Sequence, residues 1–213
     1  MEEKKKLNPI IPILAVFLVV AIGLCVFLWI GKAKAEKLAE EYKASYDDLV
    51  EANKKAEQSA KKYQKAYNQL VSDMLSDAAK AETLGNQIVS VWHNAIWNTD
   101  DAETDKYTKV NGRFVSDFND ALKNLFSDTD FIEKDSELRN RQKQVKGDMK
   151  KMLNPPEGYE NAFKALEAMY NAYITFTDIV IRCDGSLESF SSDFGEADEK
   201  LIEQYNAAEL YVK

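Results

Sequence analysis

The sequence predicts an all-α protein with an N-terminal transmembrane helix, a long heptad helix and an antiparallel helical bundle. Three observations carry that prediction. One uncharged apolar run stands near the start, a three- and four-residue apolar alternation persists for more than fifty residues, and glycine and proline are scarce, at eight and four in 213 residues. Turn-rich sandwiches and barrels need more of both.

The apolar run is Ile10 to Ile30, 21 residues without a charge. At about 1.5 Å per residue it spans roughly 30 Å, the thickness of a bilayer hydrocarbon core. Trp29 suits the interface, and Lys4, Lys5 and Lys6 on one side and Lys32 and Lys34 on the other mark the limits of the span. Residues 1–9 form a short flank and residues 10–31 the membrane helix, so the first partner implied is a lipid bilayer. A cleaved signal peptide is the first alternative: Ala33-Lys34-Ala35 offers a faint cleavage pattern, but the run is longer than a signal peptide needs. Lipidation at Cys25 is the second, and Leu24 stands where a lipoprotein pattern wants a small residue. The lysine count at the two ends is nearly tied. The Glu-Glu-Lys-Lys-Lys start resembles a signal-anchor and favours a body outside the cell membrane, with a cytoplasmic body as the rival arrangement.

Removing residues 1–31 takes away three lysines and two glutamates and leaves 182 residues at a net charge of -9, against -8 for the whole chain. So acidic a body has no global basic surface for a phosphate backbone, and no nucleic-acid partner is expected. One histidine and two cysteines cannot complete a four-ligand His/Cys zinc site, nor a disulfide framework.

Residues 32–97 form the long heptad helix. Its seam runs Ala39, Tyr42, Tyr46, Leu49, Asn53, Ala56, Ala60, Tyr63, Tyr67, Leu70, Met74, Asp77, Ala81, Leu84, Ile88, Val91 and Ala95. A repeat of this period winds left-handed around partner helices. Asn53 and Asp77 interrupt it, either as polar positions that set register or as positions turned to solvent. Gly85, costly inside a helix, predicts a kink or C-cap and a break near residue 85. Tyr42, Tyr46, Tyr63 and Tyr67 are the candidate interaction surface, because a tyrosine seam with no partner in the same chain is an exposed contact face.

Residues 98–213 are expected to form a bundle on the distal part of that helix. Asn98 to Asp105 reads as a polar loop. Val110, Phe114, Phe118, Leu122 and Leu125 follow at helical spacing, then a charged helix from Phe131 to Leu153 that Asn154-Pro155-Pro156 stops. The run from Glu157 to Arg182 is the densest in apolar residues and reads as the central core helix. Tyr173 to Ile181 has strand propensity but keeps the 3.6-residue period. Gly185 ends that helix and Ser186 caps the next; Ser189 stands where a capping box wants Glu or Gln, so a plain cap is expected.

The punctuation Leu153-Asn154-Pro155-Pro156-Glu157-Gly158-Tyr159, with the aromatic helix after it and then Gly185-Ser186-Leu187-Glu188-Ser189-Phe190, resembles a helical hairpin of uncharacterised membrane-anchored or lipoprotein-type proteins of Gram-positive bacteria. The resemblance spans about Leu153 to Tyr205 and implies a surface location and no activity.

Residues able to do chemistry are few. His93, between Trp92 and Trp97, has no local partner for acid–base work and reads as a partly exposed histidine beside core aromatics. Cys183 sits at a helix C-terminus beside Asp184, where both the dipole and the carboxylate disfavour thiolate. Asp101, Glu103 and Asp105 alternate like the start of a calcium loop, but Lys106 and Gly112 occupy positions that such a loop needs as glycine and glutamate. No catalytic, cofactor-binding or metal residue is assigned, and no cofactor is expected. The expectation is a non-enzymatic, single-pass membrane protein whose bundle serves protein interaction, self-association or spacing. A sensory or ligand-binding bundle and a cytoplasmic coiled-coil scaffold are the alternatives.

Overall fold

A computed structural model describes residues 32–213, with side chains described from Lys37. The apolar run Ile10 to Ile30 and Cys25 lie outside the described residues, and among the described residues no helix is long and apolar enough to cross a membrane. The fold is helical: α1 (Lys32–Trp97), α2 (Asp105–Thr108), the hairpin strands β1 (Lys109–Val110) and β2 (Arg113–Phe114), α3 (Phe118–Phe126), α4 (Thr129–Lys151), α5 (Glu160–Arg182) and α6 (Leu187–Glu209). The chain divides into two units, Met1–Ala60 and Lys61–Lys213.

In the first unit α1 presents nearly all its side chains from Lys37 to Ser59 to solvent; only Leu38 is half-buried. Alanine, lysine and glutamate sustain the helix by propensity, and Glu51 pairs with Lys55 one turn on, at 2.6 Å.

The second unit is a four-helix bundle. Tyr63 of α1 reaches the Met152 carbonyl just past α4, while Lys80 pairs with Glu137 near the middle of α4, so those helices run antiparallel. Tyr67 bonds the Ala208 carbonyl at one end of α6, and Trp92 packs on Phe190 at the other, so α6 is antiparallel to α1 as well. Arg139 and Gln142 of α4 reach Ile181 and Thr177 of α5, which makes that pair antiparallel too. Helices α1, α4, α5 and α6 therefore alternate in direction along the chain, the up-down-up-down order that short connections favour. Leu84, Ile88, Leu138, Leu166, Met169 and Phe176 are among the fully buried core side chains.

Helix ends follow local chemistry. Asp117 and Asp128 cap α3 and α4 through their carboxylates. Ser186 caps α6, and the Ser189 hydroxyl accepts from the Ser186 amide in return. A serine thus completes the reciprocal box where only a plain cap was expected, because its hydroxyl is close enough to do a glutamate's work. Cys183 itself takes the left-handed conformation that ends α5, at φ 46°, and Gly185 follows at φ 90°.

Two further expectations are corrected. Val110 and Phe114 lie on a hairpin, not a helix. Asn111 and Gly112 both have positive φ, 51° and 74°, the turn that joins two antiparallel strands with the right twist. And α1 passes through Gly85 without a break; the glycine lies against the Phe194 ring.

Candidate interaction surface

The seam of α1 has two fates. From Tyr63 to Ala95 every seam position is buried, Asp77 included; from Ala39 to Ala56 every one is exposed. Tyr42 and Tyr46 are 40% and 37% exposed, with Leu49 and Val50 at 50% and 47% beside them. Tyr63 and Tyr67 are 8% and 0% exposed, which removes them from the expected contact face. The reason is that their partners are intramolecular. The Tyr67 hydroxyl donates to the Ala208 carbonyl at 2.8 Å, and Tyr63 donates to Met152 at 3.3 Å and meets the Tyr159 ring edge-on at 5.2 Å. The surface that remains from the tyrosine set is Tyr42 and Tyr46, extended by Leu49 and Val50, which the tyrosine pattern alone did not single out.

Asn53 is exposed, whereas Asp77 is 1% exposed. The Arg141 Nε lies 3.0 Å from both Asp77 carboxylate oxygens; its Nη2 lies 3.0 Å from Asp73 and its Nη1 donates to Gln144 at 2.9 Å. The Tyr173 hydroxyl is buried in the same region without a hydrogen-bond partner among the described residues. Burial first, and the Asp77 charge second, push its pKa up. Asp77 is a core carboxylate paired with the Arg141 guanidinium. Its two oxygens are both engaged by one guanidinium, which leaves it poorly placed as a general base. A groove of about 250 Å³ beside Asp73 is lined also by Leu70, Asp148 and Met152, and its lining includes neither Asp77 nor Tyr173.

His93 is exposed and stacks on Trp97 at 4.5 Å, with its Nδ1 3.1 Å from the Asn94 amide oxygen. Asn94 in turn donates to Asp101 and Thr104 and ties the following loop to α1. Within that loop Asp105 pairs with Lys109 at 2.8 Å and accepts from the Asp101 amide; the lysine first and the amide second hold its carboxyl below the usual range. Asp101 accepts from the Glu103 amide and the Thr104 hydroxyl. These carboxylates serve the loop's own structure, and among the described residues no group of three or more His, Cys, Asp or Glu side chains is placed to hold a metal ion. The Cys183 thiol is pushed up to about 11, by burial first and Asp184 second.

The buried tyrosines give a pH signature. Burial raises Tyr63 to about 12 and carries Tyr67 and Tyr173 higher still, against about 10 in an unfolded chain. A raised native pKa favours the protonated form, so this stabilisation is complete below pH 10 and is lost as pH climbs beyond it. Phenolate absorbance should show three of the ten tyrosines ionising only in step with loss of helical circular dichroism. Smooth ionisation of all ten near pH 10 with helicity intact would contradict their burial.

Comparison with known protein families, curated proteins and solved structures finds no match for this chain.

Proposed function

We propose that this protein is a non-enzymatic, single-pass membrane protein that holds a helical bundle on the outer side of the cell membrane and acts through protein contact made by the helix between membrane and bundle. The observation that carries the reading is the divided seam of α1. One continuous heptad pattern is consumed by the protein's own bundle from Tyr63 onward and left open from Ala39 to Ala56. That open stretch begins nine residues after Ile30, the end of an uncharged run long enough to span a bilayer. A seam kept apolar while exposed to water is best accounted for by a partner that covers it. The acidic body, at -9, resists adhesion to anionic lipid, which suits a bundle held clear of the surface rather than spread on it.

Two measurements on the full chain test this. Alkaline carbonate washing should leave the chain in the membrane fraction and should release a variant that lacks residues 10–31. Protease added to intact cells should remove an epitope placed after Lys213. If the epitope survives until the cells are lysed, the outer placement is wrong.

A further inference from the structure

We propose that the Ala39–Ala60 stretch of α1 pairs in parallel, and in register, with the same stretch of a second copy of this chain. The proposal deepens the function proposed above and rests on it for one point, the common direction in which two anchored chains leave the bilayer.

The width of the apolar stripe identifies the kind of occupant. Helices that face the core of a bundle carry a third apolar column beside the two seam positions, whereas a two-stranded coil carries the seam alone. Within the bundle the column following the second seam position is Gln64, half-buried, and then Val71, Ala78, Gly85 and Trp92, all buried; none of the five carries a charge. In the open stretch the same column reads Lys43, Val50 and Glu57, all exposed. The stripe thus narrows to a width that one helix covers. Its 22 residues amount to three heptads, about the least that specifies a coiled coil.

Asn53 identifies the partner and its direction. It occupies the first seam position of its heptad, with Tyr46 before it and Ala60 after. In a parallel, in-register pair that position meets its own copy, so two asparagine amides face each other inside the seam and hydrogen-bond; a single asparagine there selects register and two strands. In an antiparallel pair it faces the second seam position, here Tyr42, Leu49 or Ala56, and the amide is left against largely apolar groups. Flanking contacts in the parallel pair bring Ser45 to Val50 and Ala52 to Glu57 of the second copy, so no like charges meet. Ala56 and Ala60 bury little area, so pairing is weak in dilute solution and depends on the concentration that a shared membrane imposes.

Cysteine cross-linking of the full chain in native membranes decides the matter, with Cys25 and Cys183 replaced by serine. Tyr46→Cys and Ala56→Cys, both on the seam, should oxidise to a disulfide dimer in most chains. Gln58→Cys, on the opposite face, should do so at least tenfold less. Equal yields at the three positions, or monomer throughout, overturn the proposal. A dimer formed chiefly between Lys43→Cys and Glu57→Cys overturns the parallel direction. The carbonate wash on the same membranes separates the two ideas. A chain that stays in the membrane and yields only monomer sinks the pairing and leaves the anchor standing. A chain that is washed off sinks the anchor, and with it the pairing that depends on the shared membrane. Unchanged helical circular dichroism shows that these surface substitutions leave the bundle folded.

Discussion

Asp77→Ala should lower the stability of the bundle by about 3 kcal/mol, because it leaves a guanidinium in the helix interface without the carboxylate that neutralised it. Asp77 is 1% exposed and accepts Arg141 Nε on both oxygens at 3.0 Å. Removing one member of a buried pair typically costs about 3–5 kcal/mol. The lower end applies, since the Arg141 side chain is 28% exposed and keeps Asp73 and Gln144 as partners. Arg141→Ala strands the aspartate instead, in the deeper position and near the buried Tyr173 hydroxyl, so it should cost at least as much. The distinguishing case is Asp77→Leu with Arg141→Leu. An ion pair replaced by packed apolar groups is often neutral or stabilising, so the double variant should recover most of what either single change loses. Urea unfolding followed by circular dichroism measures all of these. If the double variant falls by the sum of the single losses, the ion pair is not what holds these side chains together.

Asp77 also marks the limit of what its own neighbourhood in sequence reveals. It and Asn53 read alike, as polar residues in an apolar seam, and they end in opposite environments. The difference is Arg141, 64 residues further on, and no local pattern points to it. The tyrosines were more legible than their types suggest. Tyr42, Tyr46, Tyr63 and Tyr67 share one seam, but the adjoining column turns from Lys43 and Glu57 to Val71 and Trp92, and that change of charge marks where the bundle begins. The helices α4, α5 and α6 follow directly from periodicity and stops, down to the buried Leu138, Val145, Met149 and Phe176. The hairpin did not, because Val110, Phe114 and Phe118 fit a four-residue helical step as well as they fit two strands. Only Asn111-Gly112, two residues at ease with positive φ, favours the turn.

Gly85→Ala should destabilise the protein by about 1–3 kcal/mol, although the same change in an exposed helix interior stabilises by about 1 kcal/mol. A β-carbon built at Gly85 falls 2.3 Å and 2.4 Å from Cε2 and Cζ of Phe194. That ring has little room to withdraw. It is 7% exposed, stacked on Phe176 at 5.1 Å and on Phe190 at 5.9 Å, and a close-packed interior answers an inserted methyl with displaced backbone or off-rotamer side chains. The glycine therefore sets how closely α6 approaches α1, which is why it sits in the third apolar column between Ala78 and Trp92. A second substitution isolates this cause. With Phe194→Ala in place, itself costing about 3–5 kcal/mol as a core truncation, adding Gly85→Ala should turn from harmful to neutral or favourable. Its methyl then enters vacated space and the helix gains its ordinary propensity. A kink at Gly85 predicts something else: alanine would stabilise the helix by about 1 kcal/mol in both backgrounds. Comparing the sign of the Gly85→Ala effect with and without Phe194 separates a glycine kept for closeness from one kept for bending.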